Sequence, residues 1–149
     1  MKKTAWLDMD GTIANLYGVE DWLPKLRSCD PSPYTEATVM CNMSILARYL
    51  NKLQKQGYWI GIISWTAKDA PEYYNHMVAD AKRKWLATHL ASVNFDFTII
   101  TEYGIPKERW MNTEEDILFD DNKDIREEWN GTAYKPCDMI KILKELCEG

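Results

Sequence analysis

Apolar residues change period several times along the chain, and each change marks an element. Ala5 to Leu7 is a short apolar run that predicts a strand, and it runs straight into Asp8-Met9-Asp10-Gly11-Thr12. Met43, Leu46, Tyr49, Leu50 and Leu53 recur at helical spacing, with Asn42 as the N-cap and Gly57 as the stop. Tyr58 to Ile63 is almost continuously apolar around Gly61, which predicts a strand buried on both faces and ending at Ser64-Trp65-Thr66. Tyr74, Met77, Val78, Ala81, Trp85 and Leu86 predict a long helix reaching about His89, with Asp69 as its cap and Pro71 in its first turn. Further strands are predicted at Phe95 to Ile100, Asp116 to Phe119 and Thr132 to Tyr134. Ile125 and Trp129 suit a short helix, and Asp138 opens a last one through Met139, Ile140, Leu143 and Leu146.

Residues 13–41 break this regularity. Pro24, Pro31 and Pro33, with turn formers around them, prevent a long element; Glu20 to Arg27 suits one short helix, and the remainder suits loop with room for another short helix. The segment's length, its aromatic residues and its position directly after the first strand predict a lid in preference to a plain connector. Elsewhere strands and helices alternate. That order predicts an α/β, Rossmann-like parallel sheet of five strands flanked by helices, one domain over residues 1–149 with 13–41 as a small cap insertion. In such a sheet ligands collect beyond the carboxyl ends of the strands, where Asp8, Asp10, Ser64, Lys107, Asp120 and Asp121 all fall.

The chemistry starts with Asp8 and Asp10. Residues i and i+2 of an extended segment share a side, so two carboxylates are crowded at one strand end and need a cation or a proton to relieve them. A calcium loop starting at Asp8 would require Gly at position 13 and Glu at position 19, where the chain has Ile13 and Val19. Asp120-Asp121 is a second acidic pair at a strand end, and two such pairs point to a divalent metal. Lys107, in a Gly/Pro loop past a strand, is better placed than an ordinary surface lysine. Lys82, Arg83 and Lys84 read on spacing alone as the solvated face of a helix.

Composition narrows the class. A chain of 149 residues with 46% hydrophobic and 28% charged residues suits one soluble domain, and no apolar run reaches the roughly 20 residues of a membrane span. Asp8 and Asp10 interrupt any signal-peptide core after Lys2 and Lys3, so a cytoplasmic protein is expected. Four cysteines without paired spacing are expected to be reduced and to pack. His76 and His89 have no ligand pattern. A net charge of −5 argues against binding to extended nucleic acid.

Asp8-Met9-Asp10-Gly11-Thr12, Ile62-Ile63-Ser64, a later lysine and Leu118-Phe119-Asp120-Asp121 resemble, in order, the four motifs of the haloacid dehalogenase-like (HAD) hydrolase superfamily. Within it the chain is similar to small bacterial and phage HAD phosphatases and to the 5'-deoxynucleotidase branch, through Ala81-Lys82-Arg83-Lys84-Trp85-Leu86 and Tyr103-Gly104-Ile105-Pro106-Lys107. The resemblance implies a phosphomonoester hydrolase with Asp8 as nucleophile and Asp10 as general acid, then base. It further implies Mg²⁺ held by Asp8, Asp10 (through its backbone carbonyl), Asp120 and Asp121. Ser64 would bond a phosphate oxygen, with Thr66 as the alternative, and Lys82, Lys107 or both would neutralise the phosphate and the nucleophile. Gly11, Thr12, Trp65 and Thr66 are the remaining candidate substrate contacts. The expected partner is a small phosphorylated substrate. Tyr17, Trp22 and Tyr34 suit stacking on the base of a nucleoside monophosphate, and packing the lid is the equal alternative. Another phosphorylated metabolite or a nucleic-acid end also fits the motifs. Two rivals bind without hydrolysing: a phospho-receiver domain, in which Gly11-Thr12 has no purpose, and a catalytically silent HAD-like module, which should lack a motif residue.

Overall fold

In the computed structural model, which describes residues 2–149, the elements in chain order are β1 (Thr4–Leu7), β2 (Ala14–Asn15), α1 (Trp22–Arg27), α2 (Ser32–Glu36), β3 (Thr38–Val39) and α3 (Met43–Lys55). They continue with β4 (Trp59–Trp65), α4 (Glu72–His89), β5 (Phe97–Thr101), β6 (Ile117–Phe119), α5 (Lys123–Glu128), β7 (Thr132–Tyr134) and α6 (Met139–Glu148). Five strands form one sheet in the order β5-β4-β1-β6-β7, and every pairing in it is parallel. This is the Rossmann-like α/β architecture expected from the alternation of elements. β1 lies at its centre, so its carboxyl end is flanked by those of β4 and β6. Among the described residues no helix is long and apolar enough to cross a membrane.

Period-two alternation distributes β1 between two cores. Ala5 and Leu7 face a cluster with Leu46, Leu50 and Leu53 of α3 and Leu143 of α6, while Trp6 faces Ile63, Leu118, Ile125 and Trp129. Trp6 pairs in register with Gly61, and a Cβ on Gly61 would come within 2.6 Å of its indole ring. The glycine inside an otherwise apolar strand is therefore the space in which Trp6 lies, stacked on Phe97 at 5.3 Å. α3 begins where its pattern predicts: Asn42 Oδ1 accepts from the Ile45 N–H at 3.0 Å. It ends at Gly57, whose φ of +104° lets the Tyr58 N–H reach back to the Leu53 carbonyl at 3.1 Å.

Several expectations about α4 need correction. Asp69 does not cap the helix; it takes a left-handed turn at φ +54°, a conformation Asp tolerates, and Pro71 occupies the N-cap position without a side-chain bond. Met77 is exposed. Lys82 is not on the solvated face with Arg83 and Lys84 but is only 1% exposed. Its spacing accounts for this, since Lys82 lies four residues after Val78 and four before Leu86, both buried. β4 also runs on to Trp65, so Ser64 belongs to the strand.

Residues 14–41 form the small antiparallel pair β2–β3 with α1 and α2 between. Leu16 and Tyr34 pack them on Ala67 and on Tyr74, Val78 and Ala81 of α4.

Asp116 organises the opposite end of the sheet. Fully buried, it accepts from the Thr4 N–H at 2.8 Å, Trp6 Nε1 at 3.1 Å, the Asn112 N–H at 2.7 Å and Thr113 Oγ1 at 3.1 Å. Removing the carboxylate would leave these donors without an acceptor in a dry site. Asp116→Ala is expected to cost about 3 kcal/mol or more of folding stability at neutral pH, measured by urea unfolding. A midpoint unchanged from wild type would refute this account.

Candidate active site

Asp8 is the first residue past β1. Its N–H donates to the Phe119 carbonyl at 3.0 Å, which continues the β1–β6 ladder and fixes where the carboxylate starts. Thr12 Oγ1 donates to Asp8 Oδ2 at 3.0 Å. Lys107 Nζ donates to Asp8 Oδ1 at 2.9 Å and to Asp120 Oδ2 at 2.7 Å, bridging the ends of two neighbouring strands. Burial would lower the pKa of this ammonium, but the two carboxylates outweigh it and raise the value. Gly11, at φ +80°, makes the turn after Asp10, and any Cβ there would collide with the Asp121 carboxylate.

The second lysine serves the second aspartate. Lys82 Nζ donates to Asp10 Oδ2 at 2.8 Å, to Ser64 Oγ at 2.7 Å and to the Trp65 carbonyl at 2.6 Å. Removal from water raises the pKa of Asp10, with Lys82 opposing the rise. The two lysines are thus not alternatives at one position: Lys107 attends Asp8, and Lys82 attends Asp10.

Asp8, Asp120 and Asp121 each present a carboxylate oxygen within 4.8 Å of the others. Desolvation first, and then the nearby Asp8, push Asp120 up to about 6 and Asp121 up to about 8. Such crowding is what a divalent cation relieves, and a donor set made only of hard oxygens fits Mg²⁺. The Asp10 carboxylate is not in this group, its Oδ2 being held by Lys82.

These residues lie in a cavity of about 610 Å³. Asp8, Asp10, Ser64, Trp65, Thr66, Lys107, Asp120 and Asp121 all line it, whereas Gly11 and Thr12 do not. The glycine makes room for Asp121, and the threonine holds Asp8. Thr66 Oγ1 is buried with no hydrogen-bond partner. The segment 14–41 supplies another wall through Tyr17, Trp22, Leu26 and Arg27, and Tyr103 completes it beside Trp65 at a ring distance of 4.9 Å. Arg27 and Lys68, which also lines the cavity, carry no signal as substrate contacts in the sequence, where each reads as an ordinary helix-end or loop residue; Tyr103 enters there only as part of the stretch that leads to Lys107.

The fold has a counterpart among solved structures. The chain is similar to D,D-heptose 1,7-bisphosphate phosphatase from Burkholderia thailandensis, with a TM-score of 0.53 and 12% identity over 87% of this chain and 75% of that one. At that identity the likeness is one of fold. No family model matches the sequence, and no curated protein does.

The raised carboxyl values set a sign for metal binding. Protons compete with the cation, so Mg²⁺ affinity should rise with pH between about 6 and about 8, read by calorimetric titration. In the absence of metal these groups hold protons that the unfolded chain has lost. Their contribution to stability is therefore full below the ordinary carboxylate range and is lost as pH rises toward about 8. Asp121→Asn should raise the metal-free melting temperature at pH 8 and weaken the stabilisation by Mg²⁺. A lower melting temperature with an intact Mg²⁺ response would contradict it.

Proposed function

We propose that the protein is a Mg²⁺-dependent phosphomonoester hydrolase of the HAD type that works through an aspartyl-phosphate on Asp8. The observation that carries this reading is the Lys107 bridge between Asp8 and Asp120 beneath a cavity, next to a carboxylate trio fit for a metal. The likeness of fold to a known phosphatase agrees with it. So does the presence of every motif aspartate, against a silent module.

In the first step an Asp8 oxygen attacks phosphorus, the bond from phosphorus to the ester oxygen breaks, and the Asp10 carboxyl gives its proton to the departing alkoxide. In the second step water attacks phosphorus and gives a proton to the Asp10 carboxylate. The bond to Asp8 then breaks and inorganic phosphate leaves. Asp8, Asp120 and Asp121, with the Asp10 backbone carbonyl, would hold Mg²⁺, which when bound would supply charge compensation for the phosphoryl oxygens. Lys107 contributes the same from the protein, since its two acceptors leave one N–H free. A hydroxyl for a phosphate oxygen comes from Ser64, which keeps its own O–H after accepting from Lys82, or from the unpartnered Thr66 Oγ1.

The cap, residues 13–41, lines the cavity through Leu16, Tyr17, Trp22 and Leu26 and would face the leaving group. Tyr17 is 52% exposed and Tyr103 48% exposed, and both border the cavity, which supports stacking on the base of a nucleoside monophosphate. Tyr34 also lines the cavity but is only 4% exposed, which favours packing for it.

The test is phosphate release from nucleoside 5'- and 3'-monophosphates, sugar phosphates and a 5'-phosphorylated oligonucleotide, with Mg²⁺ or with chelator. Metal-dependent release is expected, abolished in Asp8→Asn and reduced about 10²- to 10⁴-fold in Asp10→Asn. Turnover that survives Asp8→Asn would overturn the mechanism. A panel in which sugar phosphates outrank nucleotides would overturn the nucleotide assignment alone.

A further inference from the structure

Lys82 is the buried cation that the two-step chemistry leaves without a role. An ammonium has three N–H donors. On Lys82 the Asp10 carboxylate, the Ser64 hydroxyl and the Trp65 carbonyl account for all three, at 2.8, 2.7 and 2.6 Å. Its remaining side is closed by the Tyr34 ring of α2, whose centroid is 5.3 Å from Nζ. Lysine and tyrosine are 1% and 4% exposed. No N–H is left to reach a phosphate.

We infer that Lys82 is a positioning residue for Asp10 and not a phosphate ligand. It pins Oδ2 of Asp10 to the wall of β4 and so leaves Oδ1 to face the leaving group and, later, the water. Because Tyr34 belongs to the cap, the same contact ties the seating of the cap to the aim of Asp10. This rests on the phosphatase reading above, and it gives the two lysines separate roles. Lys107 serves charge on the phosphoryl group, and Lys82 serves geometry at the proton-transfer group.

Two esters separate this role from the others. An alkyl phosphate needs a proton on its leaving oxygen, whereas p-nitrophenyl phosphate releases a stable phenolate without one. Both need Asp10 to activate water afterwards. In Lys82→Met, turnover of the alkyl ester should fall about 10²-fold, the usual size of a general acid–base contribution. KM should stay within about twofold, since phosphate binding is untouched. With p-nitrophenyl phosphate the variant should give a burst of one phenolate per enzyme followed by slow phosphate release, as the aspartyl-phosphate waits for water. Lys82→Gln, which keeps a neutral donor for Asp10, should recover part of the loss, and it carries the test if the methionine variant does not fold.

A raised KM with kcat preserved would make Lys82 a phosphate ligand and overturn the proposal. Equal losses on both esters with no burst would reduce it to a structural residue and overturn it as well. A wild-type protein inert toward both esters would instead sink the phosphatase reading, and this inference with it.

Discussion

Four aspartates crowd the carboxyl ends of β1 and β6, and their mutual repulsion is the constraint that the rest of the site answers. Two buried lysines answer it from different directions. Lys107 comes from the loop after β5 and spans Asp8 and Asp120, while Lys82 comes from the middle of α4 and reaches Asp10. Neither pair is there to stabilise the fold, because desolvating two ions costs about what their attraction returns. Their effect is placement: each lysine holds its carboxylates in one orientation. The residual crowding, visible in the raised Asp120 and Asp121, is what prepares the group for a cation.

The scaffold keeps that crowd in place with an apolar core on both faces of the sheet. β1 is sealed on one side by α3 and α6 and on the other by the Trp6, Leu118 and Trp129 cluster, so the strand cannot slip without moving Asp8. Asp116 works at the amino end of the same strands, tying Thr4 and Trp6 of β1 to the start of β6. One buried carboxylate therefore secures the register that another buried carboxylate depends on.

The segment between β1 and α3 walls the cavity and packs against the lysine that holds Asp10. Its aromatics Tyr17, Trp22 and Tyr34 all line the cavity, and Tyr34 also closes on Lys82.

Much of this was legible in the chain because it is local. A strand's end, a Gly that alone accepts φ +80°, an Asn cap and a period-two or helical stripe are properties of a few consecutive residues, so β1, the Asp8-Met9-Asp10-Gly11 turn, α3 and the parallel alternation follow from the sequence by itself. What the tertiary structure decided are the pairings between distant positions. Lys82 meets Asp10 across 72 residues, Lys107 meets Asp8 across 99, and Asp116 meets Thr4 across 112. Local spacing indicated a face for Lys82 only through Val78 and Leu86, and three adjacent basic residues masked that signal. Which carboxylate each lysine serves depends on how α4 and the β5–β6 loop lie over the sheet, and that is set by the packing of the whole core.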